Sequence, residues 1–506
     1  MTHLALLPLL IPFTAAAILL LLADAPIAVQ RGVAIGSALA GLLVSALLVA
    51  GQWNGPILAY AIGDWPAPYG ILFVADRLAA QMVLLLFVLA VPALMMATAG
   101  SDRTGRHFHA LFQLQLAGLA GAFLTGDLFN LFVFFEILLL ASYALLVHGN
   151  GFRRSRAGLL YVVLNLVGSS LFLVAIALIY GTLGTLNMAD IARLLPLVPV
   201  QDMGLVRAAF AILVGVFLLK SAVLPMAFWL PHVYSVAGMP VAALFAILTK
   251  VGVVALLRLS VSLFGDAGVT QGLLLPWLPV LALGTIAFGT VALFAAERLG
   301  VAAASLVLIS SGILLFSVAF AGAGSTSALL YYLPHTTLAT GGMLMLSGLI
   351  AERRGELQDR LVRGPCVGNR LMIGGAYAVL AVAIAGLPPL SGFLGKLMLM
   401  QAVAPLDWRL AWWVALLLSG LCMTLVLARL ASLLFWQPLD PLPDQSIATG
   451  SRGALVLLAA ASPLLVVLAV PVSAYAASAA NQLHQREPYL QAVLGDAPPT
   501  QRERRP

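Results

Sequence analysis

Of 506 residues, 62% are hydrophobic and only 9% charged, where a soluble domain carries about 45–50% and 25%. Apolar surface in that excess cannot be hidden inside a water-soluble globule, so most of the chain meets lipid. Two cysteines, Cys366 and Cys422, exclude a disulfide framework, a cysteine zinc site and a Cys-x-x-Cys redox pair. The formal net charge of +7 reads as arginine in cytoplasmic loops, not as a nucleic-acid surface.

A membrane helix needs about 20 mostly apolar residues. Windows of that kind fall at 3–22, 32–51, 71–97, 107–125, 127–148, 157–180, 207–236, 240–264, 274–296, 301–321, 327–350, 371–402, 408–436 and 453–473. These fourteen candidates define an all-α integral membrane protein. The first lacks a basic start and is too long for a signal peptide, so it reads as a retained span. With the loops numbered in order, the odd ones carry Arg31, Arg103, Arg106, Arg153, Arg154, Arg156, Arg298, Arg353, Arg354, Arg360, Arg363, Arg370 and Arg452. The even loops carry Arg193, Arg207 and Arg409. Positive-inside bias then puts the odd loops in the cytoplasm and both termini on the outer side of the membrane. The chain divides into helices 1–3 (1–106), a five-helix unit (107–264), a second such unit (274–436), a last helix (453–473) and a tail (474–506). The tail, with Pro498, Pro499 and Pro506 among charges, reads as disordered.

Twenty-three of the 26 basic residues are arginine; the three lysines, Lys220, Lys250 and Lys396, all fall inside apolar spans. A charge at the bilayer centre costs about 2.5–3.5 kcal/mol on insertion scales, so three represent a substantial penalty. Arginine stays charged in proteins, whereas a lysine taken out of water can release its proton. A site that alternates between charged and neutral can therefore use lysine and not arginine. The counter-charge is Glu136, in Asp127-Leu-Phe-Asn-Leu-Phe-Val-Phe-Phe-Glu136. Among phenylalanines and leucines it must be neutral or paired, and Lys220 is its expected partner, in a static or a switching pair. Asp127 suits a helix N-cap. His335, in Leu-Pro-His335-Thr-Thr, can pass a proton or serve as a hydrogen-bonded core residue. His232 follows a broken segment and is a weaker candidate. Asp76 and Arg77, neighbours in sequence, read as interfacial structure.

Two spans are broken by proline. Leu224-Pro225 through Leu230-Pro231 follows Lys220, and Gly386-Leu-Pro388-Pro389-Leu-Ser-Gly392 precedes Lys396. Broken membrane helices are tolerated where the freed backbone groups line a hydrated cavity, and paired breaks mark transport pathways. If helices 4–8 and 9–13 are repeats, each break falls in the fourth helix, and five helices per copy requires inverted copies. Gly392-Phe-Leu-Gly395-Lys396 lacks the upstream glycine and the Ser/Thr of a phosphate loop. No dinucleotide, metal-ligand or haem pattern is present, so no cofactor and no metal are expected.

The segments Gly126–Glu136, Lys220-Ser-Ala-Val-Leu-Pro through His232, Leu248-Thr-Lys250-Val-Gly252 and Leu387-Pro-Pro-Leu-Ser-Gly-Phe-Leu-Gly-Lys396 together resemble the antiporter-like proton-channel family. That family spans the large membrane subunits of NADH–quinone oxidoreductase and of Mrp multisubunit cation/proton antiporters. The resemblance covers about residues 70–460. It implies fourteen core helices, two inverted five-helix repeats and a hydrated mid-membrane axis of Glu136, Lys220, Lys250, His335 and Lys396 carrying protons. The run Leu131-Phe-Val-Phe-Phe-Glu-Ile-Leu-Leu-Leu-Ala-Ser-Tyr143 is most similar to the D-type branch of the Mrp antiporters. The implied partners are other antiporter subunits, protons, Na+ and membrane lipid, with no redox chemistry in this polypeptide. The alternative is a proton-pumping subunit of a respiratory or hydrogenase complex.

Overall fold

In the computed structural model, residues 2–264, 270, 272–273, 276–320, 322–364, 369–402, 406–436 and 446–495 are described; Cys366 and the proline-rich end of the tail lie outside them. The chain is 81% helical. The N-terminal helices are α1 (Leu7–Leu21), α2 (Ile27–Gln52) and α3 (Arg77–Ala97). Next come α4 (Phe108–Leu124), α5 (Leu128–Val147), α6 (Phe152–Leu183), the short α7 (Met188–Leu194), α8 (Met203–Lys220), α9 (Trp229–Tyr234) and α10 (Met239–Arg258). The second half holds α11 (Leu278–Phe294), α12 (Leu299–Ala319), α13 (Ala323–Arg353), α14 (Arg370–Ala385), α15 (Ser391–Ala402) and α16 (Leu406–Ala431). The chain closes with α17 (Thr449–Val467), α18 (Ala469–His484) and α19 (Arg486–Leu494). Among the described residues nine helices are long and apolar enough to cross a membrane. Helices serve because lipid offers the backbone no hydrogen-bond partners. The perimeter is apolar: Leu43, Leu159 and Leu410 are each more than 60% exposed.

Two expectations need correction. The chain is not wholly α: Leu58–Ala61 (β1) and Leu72–Ala75 (β2) form an antiparallel hairpin, with Leu58 opposite Ala75 and Ala61 opposite Leu72. The window at 71–97 had merged β2 with α3, because a short apolar run has no periodicity to separate strand from helix. The boundary is Asp76, which caps α3 by accepting the Ala79 N–H at 2.7 Å. The tail is not disordered through 494 either. Residues 474–494 fall in α18 and α19, and α18 packs against α13 and α3 through Tyr475, Ala476, Ala479, Ala480 and Leu483.

The loops sort by parity. At one end Arg31 holds Asp102 through two bonds of 2.6 and 2.8 Å, and Arg106 meets Asp24 at 2.7 Å. There too Arg154 donates to Val236 O and Arg298 pairs with Asp359 at 2.8 Å. All of these residues belong to odd loops or to their flanking helix ends. Burial pushes the Asp102 carboxyl up, but the Arg31 guanidinium and the His109 ring outweigh it and hold it below the usual carboxylate range. At the other end the hairpin, α7 and α19 share a small core of Leu72, Val74, Ala189, Tyr489 and Val493. Against it lie the His3 ring, 5.4 Å from Tyr60, and the Arg486 contact with the Ala192 carbonyl.

Candidate functional site

Lys250 lies on α10, the helix at the centre of the bundle, which packs against α3, α8, α12 and α13. Lys220, Lys250 and Lys396 are 6%, 0% and 7% exposed, which rules out snorkelling to either surface. Lys250 Nζ donates to Ser310 Oγ of α12 at 2.9 Å and to Thr249 Oγ1 at 3.3 Å.

The first break follows Lys220, the last residue of α8. The chain turns through Ala222 at φ +54°, passes a 3-10 turn at Met226–Phe228 and resumes as α9. One freed backbone donor is satisfied from the other half of the molecule: Leu224 N–H donates to Thr285 Oγ1 of α11 at 3.0 Å. Lys220 Nζ donates to Asn165 Oδ1 of α6 at 3.0 Å and stands 5.7 Å from the centre of the Phe135 ring. Glu136, half-buried on α5, accepts a hydrogen bond from Ser169 Oγ. The expected Glu136–Lys220 ion pair is therefore not formed. Asn165 and Ser169, four residues apart on one face of α6, take the two ionisable groups instead. Gly252 lets α10 approach this corner, since a Cβ there would lie 2.4 Å from Ser221 Oγ and 2.9 Å from the Phe217 carbonyl.

The second break separates α14 from α15. Gly386 follows α14 with φ +81°, and Lys396, five residues into α15, reaches back to the end of α14. Its Nζ donates to Ala385 O at 2.8 Å and Ile384 O at 3.2 Å. A Cβ on Gly386 would lie 2.9 Å from that nitrogen, so the backbone must be bare there. His335 of α13 bonds through Nδ1 to Ser391 Oγ at 2.8 Å, and Ser391 bonds to Ser462 Oγ of α17 at 2.7 Å. Three helices are thus joined by one polar chain.

Of the remaining candidates, Asp127 caps α5 by accepting the Asn130 N–H at 2.9 Å, and His232 is exposed on α9. Sequence reasoning missed Asn165, Ser169, Ser310, Ser391 and Ser462, small polar residues that an apolar window averages away. It also missed Arg258, a basic residue inside a span. Arg258 binds Asp76 through two bonds of 2.7 and 2.8 Å at the even-loop end of α10. Among the described residues no three His, Cys, Asp or Glu side chains converge to hold a metal.

A helical bundle with two broken helices and buried cations on neutral oxygens defines a polytopic membrane protein. The chain belongs to the NADH:quinone oxidoreductase/Mrp antiporter transmembrane family, whose profile matches residues 125–424. It is 37% identical to the D subunit of a probable K+/H+ antiporter of Rhizobium meliloti (strain 1021), over 95% of each chain. To the D subunit of the Na+/H+ antiporter of Bacillus subtilis (strain 168) it is 32% identical, over 98% of this chain and all of that one. Its fold matches a chain of the Mrp complex from Dietzia sp. DQ12-45-1b with a TM-score of 0.87 and 24% identity, covering 98% of this chain and all of the other.

Proposed function

We propose that this chain is the D-type, proton-translocating subunit of a multisubunit monovalent cation/proton antiporter in a bacterial inner membrane. Protons would pass along a mid-membrane axis of Glu136, Lys220, Lys250, His335 and Lys396. The observation that carries this reading is a contrast among the cations buried within the spans. Arg258 is locked to a carboxylate, as a fixed structural charge should be. Lys220, Lys250 and Lys396 instead donate to an amide, to hydroxyls and to backbone carbonyls, all neutral acceptors. An ammonium held by neutral acceptors can give up its proton without abandoning a counter-ion. The chemistry is proton transfer with no bond made or broken elsewhere, so the chain acts as a transporter subunit and not as an enzyme.

Fourteen spans are read here as the nine long apolar helices, the shorter α1, α4, α11 and α14, and α13, whose 31 residues are rich in Thr, Ser and Gly. Residues 107–264 and 274–436 are read as inverted five-helix repeats. Support comes from a break in the fourth helix of each and from a lysine serving each break. The arginine-rich odd loops are read as cytoplasmic, which puts both termini outside, and their clustering at one end of the bundle is consistent with that. Small antiporter subunits, Na+ or K+, and lipid are the expected partners.

The test is everted vesicles from an antiporter-deficient strain carrying the whole complex. Acridine-orange dequenching on Na+ or K+ addition that requires this chain supports the reading. Proton uptake that follows an electron donor and ignores the cation would assign the chain to a respiratory complex instead.

A further inference from the structure

The turn after Lys220 satisfies nearly all of its backbone donors from its own chain. Ala222 ends α8 as a left-handed cap: its N–H donates to Leu219 O and that of Val223 to Leu218 O, both at 3.0 Å. Ser221 N–H donates to Phe217 O at 2.9 Å and Met226 N–H to Val223 O at 2.8 Å, while Pro225 has no donor. Leu224 N–H is the one that leaves the segment, for Thr285 Oγ1 of α11. Thr285 is fully buried and spends its hydroxyl proton on Leu281 O of its own helix at 2.7 Å, so toward Leu224 its oxygen is an acceptor. The same device recurs at Lys250. Ser310 Oγ of α12 donates to Val307 O of its own helix at 2.7 Å and accepts from Lys250 Nζ. Bare backbone locks α11 against α12: a Cβ on Gly289 would lie 3.0 Å from Ile309 N, and one on Gly312 2.8 Å from Ala282 O. The packed pair therefore offers two hydroxyl acceptors to the first half, one to the turn beside Lys220 and one to Lys250.

We propose that Thr285 is a positioning residue: it pins the turn after Lys220 to the helix pair that also receives Lys250, so that the second half of the molecule sets how Lys220 meets Asn165. This rests on Lys220 being part of the proton path. Thr285 acts through the backbone of the turn, not by carrying the proton. Without its acceptor the Leu224 amide has no local carbonyl to turn to, and the end of α8 that carries Lys220 loses its anchor on α11.

The test uses the whole complex in everted vesicles at matched abundance. Thr285→Val keeps the shape and removes the acceptor; it should slow cation-driven exchange by about tenfold, as for a buried donor left without its partner. Thr285→Ala serves if Thr285→Val does not assemble. Thr285→Ser restores the acceptor and should run near the parental rate, as should Thr290→Val, whose lost hydroxyl bonds only within α11. A Thr285→Ser variant as slow as Thr285→Val overturns the proposal. Because Thr285 acts through Lys220, the Thr285→Val/Asn165→Ala double variant should be no slower than the slower single one; multiplied losses would reveal an independent structural effect and overturn it too. Parental exchange in Thr285→Val, with Lys220→Ala inactive, removes the positioning role and spares the relay. An active Lys220→Ala removes both. Independently of transport, hydrogen exchange at the Leu224 amide of the purified complex should be faster in Thr285→Val than in Thr285→Ser. Equal protection in the two contradicts the pin.

Discussion

The two broken helices hold a lysine near the same point, the C-terminal end of a half-helix, but from opposite sides of the break. Lys220 is the last residue of α8 and binds a side-chain amide on a neighbouring helix. Lys396 lies beyond its break and binds the terminal carbonyls of α14 directly. Those carbonyls are the negative pole of the helix and lack intrahelical donors, so a cation satisfies them and is favoured by roughly 0.3–2 kcal/mol. The halves also differ in what stands beside the lysine. Glu136 lies within electrostatic reach of Lys220, whereas beside Lys396 the described residues offer the His335–Ser391–Ser462 chain in place of such a carboxylate. Position in the sequence, on one side of a proline or the other, therefore matters less than which half-helix end the ammonium reaches. The same lesson separates lysine from arginine: Arg258, also buried but the last residue of α10, is tied to Asp76.

The largest expected effects remove a lysine outright. If both halves lie on one path, Lys220→Ala and Lys396→Ala should each abolish cation-driven dequenching with the complex still assembled. Exchange retained in either variant alone would make that half dispensable. Next comes the nature of the charge. Lys250→Arg keeps the cation but should lose turnover, because arginine does not release its proton in the working range. Arg258→Lys should retain most exchange, since the pair with Asp76 needs only a fixed charge. Arg258→Ala leaves Asp76 buried and unpaired, so it should lower the stability of the purified complex by about 3–5 kcal/mol, read by thermal denaturation. A smaller effect distinguishes the two breaks. Gly386→Ala forces a side chain into the left-handed region against Lys396, at about 1–2 kcal/mol for the backbone alone. Ala222→Gly, at the left-handed position of the first break, should be neutral or slightly stabilising.

The smallest effect lies away from both breaks. The Asp102 carboxyl is held below its ordinary range by Arg31 and His109. The stability it contributes is complete above the ordinary carboxylate pKa and lost as pH falls through the lowered value. Thermal stability measured across acidic pH should show that loss in the parent and not in Asp102→Asn, with exchange at neutral pH little changed in either.

Spans, breaks and buried lysines were legible because each rests on a strong local signal: a long apolar run, proline, or a charge where charge is expensive. The polar partners were not. Asn165 and Ser169 have the four-residue spacing of one helix face, yet nothing in the sequence says that this face turns toward Lys220 and Glu136. Their intervention explains why the direct pair expected from the apolar surroundings of Glu136 is not found. α18 was overlooked for another reason. Its buried stripe of Tyr475, Ala476, Ala479, Ala480 and Leu483 has helical spacing, but a search for 20 consecutive apolar residues does not register an amphipathic helix. The hairpin escaped because β2 is four residues long and sits directly against α3.

Whether the two halves act in series is tested most directly by partial lesions, one per half. Asn165→Ala removes the acceptor of Lys220, and Ser391→Ala removes the partner of His335. Each should slow exchange by about tenfold, the scale of one hydrogen bond. Exchange rates of both single variants and of the double variant, in vesicles matched for complex abundance, decide the question. A single path predicts a double variant close to the slower single one, because the slower step dominates a series. If each single variant instead keeps a large share of parental exchange and only the double falls to background, the halves conduct in parallel and the joined axis is wrong.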